Sequence, residues 1–361
     1  MTLDLLALVP YPLGTTPSQR FRLEQWAPLL ARDHDIRVHF APFADASFGA
    51  LLARPGHVAR KAAQMALATA ARLPAVLRAR RFDAVLVHRA VCLAGPAVLE
   101  RVLAAGRPPL LFDFDDAIWL RHTSGANALF DRLKFPGKTA TLCRLADRVV
   151  VGSDYLAGWA RQHSARVDVV PTSIDTAAYE VRDRPPGERV VVGWTGSATS
   201  MTHLEAAAPL LRRLCAARPV EIRVLSTRTP VLPDVPVVFR HWTPASEVEE
   251  IRAFDIGIKP MPDDEWARGK CPMKELQYLA LRIPAVCSAV GGSREAVRHG
   301  DNGFLVSSED EWMEALLRLV DDPGLRARLG EAGRRTVLER YASPRSAAGF
   351  AASVRAAVER R

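Results

Sequence analysis

Short apolar, β-branched segments recur along the chain with helical stretches between them, and this alternation decides the fold class. In the first half they are Leu3–Val9, Ile36–Phe40, Ala84–His88, Leu110–Phe114, Arg148–Gly152 and Asp168–Val170. In the second half they are Val190–Trp194, Glu221–Ser226, Val237–His241, Asp255–Pro260, Ala285–Ser288 and Phe304–Val306. Strands that alternate with helices form parallel sheets. The sequence therefore predicts an α/β protein with two doubly wound parallel-sheet domains.

A polar, proline-rich segment without periodicity, 176–189, separates the two sets of strands and predicts the domain boundary. We expect an N-terminal domain of residues 1–180 and a C-terminal domain of residues 181–343, with a helix at about 344–361 that can pack back on the first domain. Parallel sheets bind ligands beyond the carboxyl ends of their strands. The two Rossmann-like domains would thus face a ligand-binding cleft between them.

The composition excludes several classes of protein. No apolar run is long enough to span a bilayer, and the first residues lack the basic region of a signal peptide, so we expect a cytoplasmic protein. Five widely spaced cysteines argue against a disulfide framework and a zinc site. The formal net charge of +9 favours anionic partners.

Part of this positive charge is concentrated in residues 54–81. No acidic residue occurs between Asp45 and Asp83, whereas seven basic ones do: Arg54, Arg60, Lys61, Arg72, Arg78, Arg80 and Arg81. Interleaved apolar residues predict a basic amphipathic helix that rests on anionic lipid at the inner face of the plasma membrane. A solvated helix rich in alanine and arginine is the alternative. Nucleic acid is not expected as a partner, because no aromatic residues interleave and no known nucleic-acid module occurs.

The segment 255–306 predicts a phosphate site. Lys270 and Lys274 lie four residues apart around the start of a predicted helix, Met273–Leu281. Two ammonium groups and the free N–H groups of a helix start suit a diphosphate. A solvated helix cap is the alternative.

A second candidate loop follows the first strand of the second half and contains Gly193, Thr195, Gly196 and Ser197. Its glycines would allow close backbone approach and its hydroxyls could donate to phosphate oxygens. An ordinary strand-to-helix turn is the alternative. Neither G-x-G-x-x-G nor G-x-x-x-x-G-K-[ST] occurs, nor do H-E-x-x-H and G-x-S-x-G. Dinucleotide-dependent oxidoreductases, P-loop ATPases, zinc proteases and serine hydrolases are therefore disfavoured.

Polar residues also follow strands in the first half. Alternation would point Asp113 and Asp115 to one face and Asp116 to the other, and this cluster could contact an acceptor hydroxyl, hold a metal or form a turn. Ser18, Arg20 and Arg22 lie in the first loop, where the arginines could grip a phosphate or carboxylate. Pro171–Asp175, which includes Thr172, is expected either to line the same cleft or to form a turn. His88 and Arg89 end a strand, where a core or turn role is the more common one.

Five segments resemble the GT-B retaining glycosyltransferases of family 4. They are GWTGS at 193–197, DFDDAIW at 113–119, PTSID at 171–175, KCPMKELQYLA at 270–280 and VGGSREAVRHGDNGFLV at 290–306. The resemblance implies a nucleoside-diphosphate sugar bound by the C-terminal domain and a saccharide, lipid-linked or small-molecule acceptor bound by the N-terminal domain. It also implies transfer with retention of anomeric configuration and no essential metal or other cofactor.

The chain departs from the family in its Glu-x7-Glu motif. Gln277 stands at the second glutamate, which holds the ribose, and Gly269 at the first. We take this as a subgroup with Gln at the second position. Asp115 stands in place of the usual sugar-contacting histidine. The segment GWTGSATSMTH, 193–203, contains no Arg or Lys, so Lys259, Lys270 and Lys274 would carry the positive charge.

The resemblance assigns roles as follows. Catalysis falls to Lys270, Lys274 and Asp115, and acceptor binding to Arg20, Arg22, Asp113, Asp116 and Thr172. Donor binding falls to Gly193, Thr195, Gly196, Ser197, Ser226, Lys259, Pro260, Lys270, Cys271, Lys274 and Gln277. A nucleotide-sugar 2-epimerase and a non-catalytic subunit that binds a sugar nucleotide or polyanion are the alternative functions.

Overall fold

The computed structural model describes residues 2–54, 56–120, 135, 137–182 and 187–360. The chain divides into two compact units. The first comprises Met1–Thr172 and Ser343–Arg361, and the second comprises Ser173–Ala342. The units therefore divide between Thr172 and Ser173, earlier than the boundary predicted at residue 180. Ile174 forms a β-bridge with Ala342 and its N–H donates to Tyr341 O (2.9 Å), which ties the residues after Thr172 to the second unit.

The first unit contains a six-stranded parallel sheet of order β2-β1-β3-β4-β5-β6. Its strands are β1 (Leu3–Val9), β2 (Ile36–Pro42), β3 (Ala84–His88), β4 (Leu110–Phe114), β5 (Arg148–Val151) and β6 (Val167–Val169). Its helices are α1 (Pro17–Gln19), α2 (Ala27–His34), α3 (Ala46–Ala53), α4 (Val58–Arg78), α5 (Val98–Ala104), α6 (Gly137–Leu145), α7 (Asp154–Ala160) and, from the end of the chain, α16 (Ser343–Val358). A π-helical turn, Arg20–Glu24, follows α1.

One layer of the core of the first unit lies between its sheet and the helices α2 and α16. Strands buried on both faces of a parallel sheet are apolar throughout, and β3 and β4 are buried at every position. Helix α16 closes this core, since Phe350 is fully buried and its ring lies 5.7 Å from that of Trp26. The end of the chain thus belongs to the first unit.

The second unit contains a six-stranded parallel sheet of order β12-β11-β10-β7-β8-β9. Its strands are β7 (Val190–Thr195), β8 (Val220–Ser226), β9 (Val237–His241), β10 (Ile256–Lys259), β11 (Ala285–Ser288) and β12 (Gly303–Val306). Its helices are α8 (Met201–Ala206), α9 (Ala208–Ala217), α10 (Glu247–Arg252), α11 (Glu265–Arg268), α12 (Met273–Ala280), α13 (Ser293–Ala296), α14 (Glu309–Asp321) and α15 (Pro323–Thr336), with a π-helical turn at Val337–Tyr341.

Local sequence signals account for where several helices begin. Ser308 caps α14 by accepting from the Glu311 N–H (3.2 Å), and the Glu311 carboxylate accepts from the Ser307 N–H (2.7 Å). Asp322 caps α15 by accepting from the Leu325 N–H (2.8 Å), and Pro323 occupies the first helical position. No described helix is long and apolar enough to cross a membrane.

Each sheet has a point at which its strand order reverses. In the first unit this point lies between β1 and β3, and in the second between β7 and β10. In open parallel sheets, the crevice at the carboxyl ends of such strands is where ligands bind. The loops after these four strands are therefore the places to look for functional side chains.

Candidate functional site

Three lysines meet at the reversal point of the second unit. Lys259 ends β10, Lys270 lies in the loop between α11 and α12, and Lys274 is the second residue of α12. The chain has only six lysines among its 49 Lys and Arg residues, so half of them lie in this one place. Lysine is a compact charge whose pKa responds to burial, whereas arginine stays charged. The concentration of lysine here points to a site rather than to general surface charge.

Lys259 is neutralised inside the protein. Its ammonium donates to Glu275 Oε1 (2.6 Å) and lies 3.3 Å from Ser293 Oγ, and both side chains of the ion pair are almost completely buried. The Ser293 hydroxyl donates to the same carboxylate oxygen (2.5 Å). In this structure Lys259 is thus occupied by a buried ion pair with Glu275, in place of the predicted contact with the donor. Glu275, which the sequence did not single out, is its partner.

Lys274 has no such partner. Its ammonium donates to Ser200 Oγ (3.3 Å) and lies 4.7 Å from the centre of the Trp194 ring. Among the described residues, no carboxylate lies within ion-pair distance of it. Burial, followed by repulsion from Lys259, lowers the pKa of Lys274 to about 7, and Lys270 adds to this shift. A bound anion would supply the compensating charge that the protein leaves out.

The lysine loop rests on the Gly-Gly turn after β11. Gly291 has a positive φ of 55°, and a Cβ there would lie 2.5 Å from Ala267 O. A Cβ on Gly292 would lie 2.7 Å from Lys270 O, and its N–H donates to that oxygen (3.0 Å). Lys270 itself lies 3.5 Å over the Trp266 ring. The two glycines therefore position the loop that carries Lys270, because any side chain would push it away.

The start of α12 has no side-chain cap. Its N-cap is Pro272, and the N–H of the first helical residue donates to Cys271 O (3.0 Å). Its first N–H groups lie next to Cys271 and Lys270, which are both half-buried, whereas Gly269 and Pro260 are buried. Uncapped N–H groups at a helix start favour an anion. The predicted helix and its two flanking lysines are therefore present as the sequence indicated.

The loop after β7 lies across the reversal point from α12, and hydrogen bonds fix its shape. The Thr195 N–H donates to Tyr278 Oη of α12 (3.1 Å), and Ser226 Oγ donates to Gly196 O (2.7 Å). Gly196 is needed because a Cβ would lie 2.5 Å from the Trp194 ring. Ser197 is exposed.

Gly193 has a different role from the predicted one. A Cβ on this residue would lie 2.0 Å from the ring of Phe254, so the glycine makes room for core packing against β7. The close approach of a ligand at Gly193 was the wrong interpretation of this motif. The glycine that borders the open loop is Gly196.

Gln277 is buried and joined to other polar residues. Its Nε2 donates to Tyr179 Oη (2.8 Å), and that hydroxyl lies 3.4 Å from Glu247 Oε2. Trp242 Nε1 donates to the other oxygen of Glu247 (2.9 Å). Sequence reasoning missed Tyr179 and Glu247 because they lie in segments far from Gln277, with no motif that links them. The buried carboxylate of Glu247 is thus linked through Tyr179 to Gln277, the position at which the family motif has a glutamate.

A second polar network lies at the reversal point of the first unit. Arg22 pairs with Asp113 (2.5 Å), with both side chains fully buried, and donates to Val170 O (2.8 Å) and Thr172 Oγ1 (3.3 Å). His88, also fully buried, contacts Asp113 Oδ2 through Nδ1 (2.6 Å). Despite burial, Arg22 and then His88 hold the pKa of Asp113 below its ordinary value. Arg22, Asp113 and Thr172, which the sequence assigns to the acceptor, are thus engaged with one another.

Ser18 links this buried part to Asp115. The Ser18 hydroxyl donates to Asp115 Oδ1 (2.6 Å), and its oxygen lies 3.0 Å from His88 Nε2. His88 Nδ1 contacts Asp113 on the other side of the ring, so the imidazole bridges Ser18 and Asp113.

Arg89 forms the outer part of the network. Its Nη2 donates to Asp115 Oδ1 (2.7 Å) and to Asp116 Oδ2 (2.8 Å), so both carboxylates turn to the same guanidinium. The expectation that they point to opposite faces is wrong because β4 ends at Phe114, and strand alternation no longer applies beyond it. Arg89 has a positive φ of 63°, a conformation that non-glycine residues adopt rarely and most often at functional sites.

The charges of this network keep Asp115 ionised. Although burial opposes ionisation, Arg89, followed by His88 and Arg22, holds the pKa of Asp115 well below its usual range. The Asp115 and Asp116 side chains are 9% and 18% exposed and that of Arg89 is 23% exposed, so a ligand can reach this end of the network. Arg20 is half-buried over the Phe21 ring. In the described part of the chain, no group of three His, Cys, Asp or Glu residues is placed to hold a metal ion.

Two family models match the chain. Residues 23–178 match Glycosyltransferase Family 4, and residues 192–322 match Glycosyl transferases group 1. D-inositol 3-phosphate glycosyltransferase of Thermobispora bispora is 35% identical over 74 residues, which is 20% of this chain and 16% of that protein. The enzyme of the same name from Thermomonospora curvata is 34% identical over 83 residues, 22% of this chain and 18% of that protein. The chain thus spans less than a fifth of these curated relatives.

Solved structures are similar over the whole chain. Anabaena HepE in complex with UDP and glucose has a TM-score of 0.68 at 16% identity, with 98% of this chain and 100% of that chain covered. Sucrose-phosphate synthase from Thermosynechococcus elongatus has a TM-score of 0.69 at 14% identity, with both chains covered completely. At such identities the likeness concerns the fold, which is the GT-B fold of two Rossmann-like domains. The predicted fold class is confirmed.

Proposed function

We propose that this chain, which matches two glycosyltransferase family models and has the GT-B fold, transfers a sugar from a nucleoside-diphosphate sugar to an acceptor hydroxyl, with retention of anomeric configuration. The second unit holds the donor and the first unit holds the acceptor. The observation that carries this proposal is Lys274, a half-buried ammonium without a carboxylate partner among the described residues, beside an uncapped helix start.

The donor diphosphate binds at the reversal point of the second sheet. Lys270, Lys274 and the first N–H groups of α12 contact the phosphate oxygens, and Gly196 and Ser197 border them from the opposite loop. These groups stabilise the negative charge that grows on the leaving nucleoside diphosphate. Lys259 acts as a positioning residue, since its ion pair with Glu275 fixes the base of α12. Gln277, held by Tyr179, takes the ribose contact of the missing glutamate.

The acceptor hydroxyl binds at the exposed end of the network in the first unit. Asp115 is ionised and aligned by Ser18 and Arg89, so it can accept a hydrogen bond from the hydroxyl. Arg22, Asp113 and His88 keep that carboxylate in place. No side chain needs to act as a covalent nucleophile, because the acceptor can attack on the face from which the phosphate departs and pass its proton to a phosphate oxygen. A metal ion is not required, since ammonium groups supply the positive charge.

The test compares two loop variants in a UDP-glucose titration and in a transfer assay with a panel of saccharide acceptors. Lys274→Ala should abolish turnover and weaken UDP-glucose binding at least about tenfold, because a hydrogen bond to a charged group is lost. Arg268→Ala removes a cation from the same region, but that arginine is half exposed and paired with Asp263, so both readouts should stay near wild type. Near-normal turnover in Lys274→Ala would refute the assignment.

The products distinguish the proposed activity from the alternatives. Nuclear magnetic resonance of the product should show the same anomeric configuration as the donor, and an inverted product would exclude retention. Release of a C2-epimerised sugar without acceptor would identify an epimerase. Donor binding without transfer or hydrolysis across the acceptor panel would identify a non-catalytic binding subunit.

We also propose that α4 attaches the protein to anionic lipid at the cytoplasmic face of the plasma membrane. Every exposed residue of this 21-residue helix other than Arg60 and Arg78 is apolar: Val58, Ala59, Ala62, Ala63, Ala66, Leu67, Ala70, Ala71, Leu73, Pro74 and Leu77. Leu67 is 64% and Leu77 68% exposed. The outer face of a helix in water is normally polar. An apolar outer face with basic residues around it fits a bilayer surface.

The basic residues of this region divide into two groups. Lys61 and Arg72 are buried, where Lys61 donates to Arg54 O (2.6 Å) and Arg72 donates to Val9 O (2.9 Å). They are therefore not available to lipid, contrary to the prediction for the whole segment. The exposed ones are Arg54, Arg60, Arg78, Arg80 and Arg81. Each exposed arginine near an anionic surface contributes about 1 kcal/mol.

Vesicle flotation tests this surface. The protein should float with phosphatidylcholine vesicles that contain phosphatidylglycerol and not with phosphatidylcholine alone. The pair Leu67→Glu and Leu77→Glu should abolish flotation, whereas Leu338→Glu, at an exposed leucine of the second unit, should not. Flotation that survives the double change would exclude α4 as the contact.

A further inference from the structure

Three aromatic rings of the first unit form a partly exposed stack. The Trp119 and Trp159 rings are parallel within 4°, with centroids 4.2 Å apart, and Tyr155 lies 6.4 Å from Trp119 at an angle of 26°. Tyr155 and Trp159 are four residues apart on α7, so they share a helix face and Trp119 lies across both. The Trp119 ring therefore stacks on the Trp159 ring of α7, and the Trp119 side chain stays half-buried.

The stack differs from ordinary core packing in its exposure. Phe114, whose ring edge lies against both tryptophans, is fully buried. Trp119 and Trp159 are only half-buried, and Tyr155 is 38% exposed. Large aromatic rings that are left partly exposed in a close stack are typical of surfaces that bind a ligand.

The stack lies on the same sheet edge as the acceptor carboxylates. Phe114 ends β4 and directly precedes Asp115, and α7 follows β5, the next strand of the sheet. Adjacent strands lie about 4.8 Å apart, so the end of β5 is about 10 Å from the end of β3, where Arg89 lies. This spacing corresponds to one or two sugar rings.

The combination of aromatic rings and carboxylates has a specific chemical meaning. A pyranose has faces formed by C–H groups, which pack on aromatic rings, and a rim of hydroxyls, which bond to carboxylates and guanidinium groups. An apolar ligand would use the rings and leave Asp116 and Arg89 without a partner from the ligand. A saccharide would use both.

We propose that Trp119, with Tyr155 and Trp159 behind it, is a stacking subsite for a sugar ring of the acceptor, beside the Asp115–Arg89–Asp116 group that holds the reacting hydroxyl. This inference rests on the proposed function and restricts the class of acceptor. The acceptor is then a saccharide of at least two rings or a glycoside, since one ring lies on Trp119 while the hydroxyl of the next reaches the carboxylates.

Saturation-transfer nuclear magnetic resonance on the full chain tests the subsite with maltose, cellobiose, lactose, chitobiose and the methyl glycosides of their monosaccharides. At least one disaccharide should bind more tightly than its methyl glycoside, with saturation concentrated on C–H protons of one ring face. Trp119→Ala should weaken this binding about three- to tenfold, as expected for the loss of one aromatic contact. Tyr155→Phe keeps the ring and should bind like wild type.

Two further measurements distinguish misfolding of the variant from loss of the stacking subsite and from loss of the donor site. Circular dichroism of Trp119→Ala checks its fold, and Trp119→Phe should recover most of the binding because it restores an aromatic face. UDP-glucose titration of the same variants should be unchanged, since the donor site lies in the other unit. Saccharide binding that is equal in wild type and in a folded Trp119→Ala would overturn the subsite. A wild type that binds UDP-glucose and none of the saccharides would overturn it too, while leaving the donor site standing.

Discussion

Lys274 gives the donor site a pH dependence that can be measured directly. Burial, followed by repulsion from Lys259 and Lys270, lowers the pKa of Lys274 to about 7, whereas the ordinary value is 10.5. A bound diphosphate favours the ammonium, so donor binding above neutral pH requires uptake of a proton. With a pKa of about 7, about one free molecule in ten is protonated at pH 8 and about one in a hundred at pH 9.

The dissociation constant of UDP-glucose should therefore be constant below about pH 6.5 and rise about tenfold per pH unit between about 7.5 and 9. Calorimetric titration in buffers of different ionisation enthalpy should show uptake of about one proton at pH 8.5. UDP-glucose is a suitable probe because its phosphates do not titrate in this window. Burial raises the pKa of the neighbouring Cys287 thiol well above its usual value, so this thiol stays protonated in the same window.

Lys274→Arg is the matched control, because arginine stays charged throughout this range. Its affinity for UDP-glucose should vary little with pH. In the absence of ligand, the wild type should gain stability as pH rises from about 7 towards 10, because the unfolded chain then holds a proton that the folded protein has released. An affinity that does not change between pH 6 and 9, or an equal slope in Lys274→Arg, would refute the reasoning.

Three further predictions concern the support of the donor site. Lys259→Met leaves the buried Glu275 without its cation, so the free energy of unfolding measured in urea should fall by about 3–5 kcal/mol. Adding Glu275→Leu should recover most of this loss, whereas losses that add up in the double variant would exclude the buried pair. Gly292→Ala places a Cβ 2.7 Å from Lys270 O, so UDP-glucose should bind at least about threefold more weakly, and unchanged affinity would separate this turn from the lysine loop. EDTA should leave transfer within about twofold of its untreated rate, whereas a loss restored by Mg²⁺ or Mn²⁺ would show that metal is required.

The strands and helix starts could be predicted from the sequence because their signals are local. Ala84–His88 and Leu110–Phe114 are β-branched or apolar runs, and the structure forms strands over these same residues. Ser308 and Pro323 each mark a helix start through groups within three residues. The domain boundary could not be predicted from local signals, because it depends on the pairing of Ile174 with Ala342, which lies far along the chain.

The candidate site was predictable to the extent that its residues follow strands. Lys270 and Lys274 are recognisable because they flank a helix start, and Asp115 because it directly follows a buried strand. The pairing of Lys259 with Glu275 and of His88 with Asp113 could not be predicted, since both join residues on different elements. Such pairs decide which charges remain for a ligand. The sequence therefore identifies candidate residues, and the structure shows which of them are already neutralised.

This difference in neutralisation explains why the two units suit different substrates. In the second unit, Lys259 pairs with Glu275, whereas Lys274 has no carboxylate partner among the described residues, which leaves positive charge for a diphosphate. In the network of the first unit, Arg22 pairs with Asp113, and Arg89 pairs with Asp115 and Asp116, so both guanidinium groups are already matched by carboxylates. A second diphosphate placed on that network would have to displace a carboxylate from an arginine, whereas a neutral hydroxyl needs only an acceptor such as Asp115. We therefore expect the reacting part of the acceptor to be an uncharged sugar.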